Sequence, residues 1–73
     1  MTNAVTYYVD RDDDGTLWGL SRVVEDERGL RGEKYVSGKW VDEPRVVSLA
    51  LDPLWGEQIS EHDVPAVMAE LDR

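Results

Sequence analysis

Three dipeptides ending in glycine, Asp14-Gly15, Arg28-Gly29 and Ser37-Gly38, divide the first part of this chain into short lengths and constrain its fold more than any other feature. Glycine adopts positive φ at no steric cost, so each dipeptide is a place where an extended chain reverses. Between these turns the side chains alternate. Val5, Tyr7 and Val9 interleave with Ala4, Thr6 and Tyr8, which is the period of a strand with one buried face. Thr16 to Glu25 reads as a second strand, with Trp18, Leu20 and Val24 on one side and Leu17, Gly19, Ser21 and Val23 on the other. Arg22 interrupts the apolar side, so a bulge near Gly19 or an exposed end is expected. In Glu33 to Val41, two strand-like runs flank Ser37-Gly38; as a two-residue loop, this pair sets Tyr35 opposite Trp40. A cross-strand aromatic pair contributes about 0.2–1 kcal/mol and fixes the register.

The remainder changes period. Pro44 follows Asp42 and Glu43; Val47, Ala50, Leu51 and Leu54 fall at helical spacing, and Asp52-Pro53 is a stop signal, so a short helix is expected over 43–51. Val47, Leu49 and Leu51 also alternate, which makes a strand the competing reading. Val64, Val67, Met68 and Leu71 form the apolar stripe of a final amphipathic helix. Ser60 and Asp63 resemble a capping box, with Ile59 and Val64 as its hydrophobic staple. A cap at His62 or Asp63, with Ser60 to His62 as lead-in, would put Pro65 in the first turn, where its missing N–H costs nothing. The expected fold is α+β: a small single domain in which a three- to four-stranded antiparallel β-meander is followed by one or two short helices packed on one sheet face. The domain spans 1–73, with the sheet at about 4–41 and the helical part at about 43–72.

Seventy-three residues allow one core, and a domain this small holds about 3–5 kcal/mol without a staple. The chain has no cysteine, so a protein partner or homo-oligomer is the expected source of further stability. There is no basic region followed by an apolar run at Met1 to Ala4, and no apolar stretch of about 18 residues, so the expectation is a cytoplasmic protein without membrane contact. Six arginines against two lysines, with no phenylalanine, is a bias of GC-rich genomes and suggests an actinobacterial or phage source. The net charge of −8 argues against direct nucleic-acid binding, which needs clustered cations for the phosphates. Residues 1–40 carry −2 and residues 41–73 carry −6.

The chemical motifs are few. Asp10, Asp12, Asp14 and Gly15 reproduce the opening of a calcium loop, but Ser21 stands where its bidentate glutamate belongs and a strand, not a helix, follows. An acidic β-turn is the plainer reading, and no metal or other cofactor is assigned. His62 is the single histidine, too little for a zinc site or for a base shared among Ser21, Ser37, Ser48 and Ser60, none of which lies in a nucleophile-elbow motif. No catalytic residue is assigned, and the chain is expected not to be an enzyme. Trp18 and Trp40 read as sheet or core residues. Leu54 and Trp55 lie in the connection between the last two elements; Trp55 is either a plug over the sheet or, with Leu54, an anchor for a partner.

The leading expectation is a non-catalytic protein-interaction or regulatory module that uses the open sheet face or the Leu54–Trp55 region. The first alternative is a nucleic-acid mimic of phage or mobile-element origin that binds a basic protein. Glu61, Asp63, Glu70 and Asp72 give it charge, though not a single stripe. The second is a weak calcium module at Asp10–Gly15.

Overall fold

Turn chemistry sets the sheet. In the computed structural model, which describes residues 4–52 and 55–73, Ser37 (φ 47°) and Gly38 (φ 87°) form the two-residue loop between β3 (Gly29–Val36) and β4 (Lys39–Asp42). Both positive φ values match the twist of a hairpin, and the register pairs Tyr35 with Trp40 as expected. Their ring centroids lie 5.5 Å apart, edge to face. β1 (Ala4–Arg11) and β2 (Leu17–Asp26) pair around the acidic turn, and β2 pairs β3 around Arg28-Gly29.

A fifth strand corrects the expected count of three or four. β5 (Glu57–Ile59) pairs antiparallel with β1, setting Tyr7 opposite Ile59 and Val9 opposite Glu57, so the sheet order is β4-β3-β2-β1-β5. The stretch expected to be helical therefore contains a strand on the edge far from β4. Three residues carry no usable periodicity, and their partner strand is some fifty residues away in the chain.

The helices follow their sequence signals. α1 (Arg45–Ala50) begins behind Pro44, inside the stretch expected to be helical. A 3-10 turn at Glu61–Asp63 leads into α2 (Val64–Leu71), and Pro65 falls in the first turn of α2. Ser60 caps the lead-in, its Oγ accepting the His62 N–H at 3.0 Å. The stripe on α2 is used as read: Val64 and Val67 cluster with Val9 and with Leu20, which is 0% exposed, while Met68, Leu71 and Ile59 pack at the margin.

α1 meets the sheet elsewhere. An added Cβ on Gly32 would stand 2.5 Å from the Glu43 carbonyl oxygen and 2.8 Å from Val46 Cβ, and the Glu43 N–H donates to the Gly32 carbonyl at 2.9 Å. Gly32 pairs with Val23, which lies on the opposite face of β2 from Leu20. The start of α1 lies against Gly32. No helix among the described residues is long and apolar enough to cross a membrane.

Candidate partner-binding groove

The bulge expected near Gly19 reorients a tryptophan. Asp10 pairs with Gly19, but the next residue of β1, Arg11, pairs with Leu17, so Trp18 has no opposite number. Leu17 consequently turns toward the core cluster, and Trp18 is 69% exposed. This corrects the core-side placement of Trp18. One residue inserted into the pairing exchanges the faces of everything beyond it.

Trp18 is exposed yet oriented. Its indole Nε1–H donates to Asp12 Oδ2 at 2.9 Å. Asp12 Oδ1 accepts the backbone N–H groups of Asp14 (3.2 Å) and Thr16 (3.3 Å), and Asp14 Oδ1 accepts the Thr16 N–H at 2.8 Å. Arg11 Nη1 closes the turn on the Gly15 carbonyl at 3.1 Å. Asp12 and Asp14, two of the carboxylates that resembled calcium ligands, thus serve their own backbone and the indole. Among the described residues, no group of three or more His, Cys, Asp or Glu side chains is arranged to hold a metal ion. The side-chain hydrogen bond with Asp12, then those with Thr16, hold the Asp14 carboxyl down at about 2.

Beside Trp18 a groove of about 510 Å³ runs between the end of the sheet and α1. Gly19, Ser21 and Lys34 form its floor, Val46, Ser48 and Leu49 form the α1 wall, and Trp18 and Trp55 also border it. A Cβ built on Gly19 meets nothing within 4 Å, so the floor is open above the backbone. Trp55 is half-buried, its ring 5.4 Å from that of Tyr8, which makes it a wall as well as a plug. Leu54, the other anchor expected from the sequence, lies outside the described residues. Leu49 and Leu51 are 41% and 78% exposed. On the far side of Trp18, a second hollow of about 590 Å³ is bounded by Lys34, Ser37, Leu71 and Arg73. Tyr35 and Asp72, joined at 2.7 Å through the tyrosine hydroxyl, also line it.

Other candidate residues are dispersed. His62 is exposed in the 3-10 turn and meets Ser60 through its backbone N–H, while Ser21 and Ser48 line the groove. Glu61 and Asp63 precede α2, and Glu70 and Asp72 lie at its other end, so the acids form two groups rather than a phosphate-like row. Sequence reading missed Trp18, Gly19, Lys34 and Leu49 as neighbours. The interruption at Arg22 together with Gly19 was the one available signal.

Fold and groove together define a small α+β protein with a five-stranded antiparallel sheet and an aromatic-bordered groove at one end. Comparison with protein-family models, curated proteins and solved structures gives no match.

Proposed function

We propose that this chain is a non-catalytic protein-interaction module that receives a segment of a partner protein over Gly19, between Trp18 and Trp55. The observation that carries the reading is Trp18, a large aromatic held in solvent by a specific hydrogen bond to Asp12. Burying that ring would remove costly apolar surface from water, and its fixed orientation reduces the entropy lost on binding. Aromatic side chains of this kind dominate interface energetics. Gly19 supports the reading from below, since a strand position without a side chain allows another backbone to come close. Leu49 and Trp55 extend the apolar contact on either side.

The test is selection from a random displayed peptide library, with Gly19→Val as the control. Valine at a strand position with open space above it should leave folding intact while filling the floor. Peptides that bind the wild-type chain should lose binding to Gly19→Val at unchanged Tm. They should bind Trp18→Ala about 30-fold more weakly, the consequence of losing an anchor worth about 2 kcal/mol. Equal enrichment on wild-type and Gly19→Val protein would remove the groove from consideration.

A further inference from the structure

The protein already contains one complete arginine site, built from its own residues. The Arg22 guanidinium carbon sits 4.1 Å from the centroid of the Trp40 ring, and Arg22 Nε donates to Glu33 Oε1 at 2.6 Å. The ring face attracts the cation and the carboxylate pairs with its edge, a combination that suits a flat guanidinium better than a compact ammonium.

Trp18 and Asp12 present the same two groups at the surface. The indole N–H is bound to the Asp12 carboxylate at 2.9 Å, which places negative charge against the ring and increases its attraction for a cation. No arginine or lysine among the described residues stacks on this ring. The surroundings favour positive charge: Asp10 borders the groove, Asp13 and Asp14 follow Asp12 in the turn, and the whole chain carries −8. Of the nearby cations, Arg11 is tied to the Gly15 carbonyl and Arg45 to Glu43, while Arg73 borders the hollow on the far side of Trp18. Lys34, on the floor, opposes a cation placed directly above it, so the cation belongs at the Trp18 end of the groove.

We infer that the segment bound in the groove is basic and carries an arginine whose guanidinium stacks on Trp18 beside the Asp10–Asp14 turn. The inference rests on the groove reading above and adds the chemistry of the occupant. It is tested with four short peptides of alternating glycine and a second residue: arginine, lysine, citrulline or glutamate. Binding is read from the Trp18 indole N–H signal in nitrogen-15 NMR, assigned with Trp18→Phe, together with the solution mass of the unliganded protein.

The arginine peptide should shift the Trp18 signal. The citrulline peptide, with the same shape but no charge, should bind about 5- to 30-fold more weakly, with lysine in between. Affinity should fall as salt is raised, and Asp12→Asn should weaken arginine binding while the protein stays folded. Equal binding of arginine and citrulline peptides, or preference for glutamate, overturns the arginine assignment; if Gly19→Val still abolishes that binding, the groove reading survives. A salt-resistant dimer that Trp18→Ala dissociates gives the groove to a second copy of this chain and also overturns the proposal. If none of the four peptides binds, the arginine assignment falls, and the library selection decides the groove reading separately.

Discussion

Two tryptophans, Trp18 on β2 and Trp40 on β4, meet the same chemistry in opposite states. Trp40 lies half-buried among Tyr7, Tyr35 and Arg22, with ring centroids at 6.1 and 5.5 Å from the two tyrosines and the guanidinium held by Glu33. Among the described residues, the Trp18 indole hydrogen-bonds to Asp12, and the ring stands largely in water. The first cluster is closed by the fold's own cation, so its interactions stabilise the sheet. The second lacks that partner, so its apolar surface is available to another molecule. The difference arises from register: Trp40 is paired across a regular hairpin, whereas Trp18 falls at a bulge.

The sharpest way to break this comparison is to remove each ring. Trp40→Ala should cost about 3 kcal/mol, most of the stability of a domain this size, whereas Trp18→Ala should stay within about 0.5 kcal/mol. Urea denaturation of both variants measures this, and comparable losses would mean that Trp18 is a structural residue.

Next come the two glycines. Gly32→Ala drives a methyl group into the Glu43 carbonyl and Val46 and should cost about 2 kcal/mol; Gly19→Ala meets open space and should be neutral or slightly stabilising. Thermal unfolding of the pair would show whether α1 is truly seated on Gly32. A smaller effect, about 1 kcal/mol, is expected for Glu33→Gln, which leaves the part-exposed Arg22 with a neutral partner. The Trp40 environment, followed by near-ultraviolet circular dichroism, should loosen with it.

The smallest effects concern pH. The hydrogen bond to Asp72, then partial desolvation, raises the Tyr35 hydroxyl above the ordinary tyrosine value of about 10. A raised folded value means that this contribution is complete below about pH 10 and is lost as pH rises through the folded value. Ultraviolet titration should show a late-ionising tyrosine that is absent in Tyr35→Phe and is shifted back toward the ordinary range in Asp72→Asn. At the Trp18 end the sign is opposite. Asp14, depressed to about 2, contributes above the ordinary carboxylate value of about 4 and loses its contribution as pH falls through about 2. Carbon-13 titration of the Asp14 carboxyl checks this, and an ordinary value would indicate a loose turn.

What the sequence determined alone was local. Ser37-Gly38 specified a hairpin loop and with it the Tyr35–Trp40 pair, because turn geometry and register are decided by adjacent residues. The stripe Val64, Val67, Met68 and Leu71 specified the buried side of α2, because helical period is a property of spacing. Tertiary structure decided the rest. Pairing of β5 with β1 joins residues some fifty positions apart through a three-residue strand, β5, that carries no pattern of its own. The outward turn of Trp18 depends on the pairing of Arg11 with Leu17 across the acidic turn, and the position of α1 depends on which glycine of the sheet lies beneath Val46. The groove is formed where these non-local choices meet. Its residues come from separate elements, and no spacing along the chain brings them together.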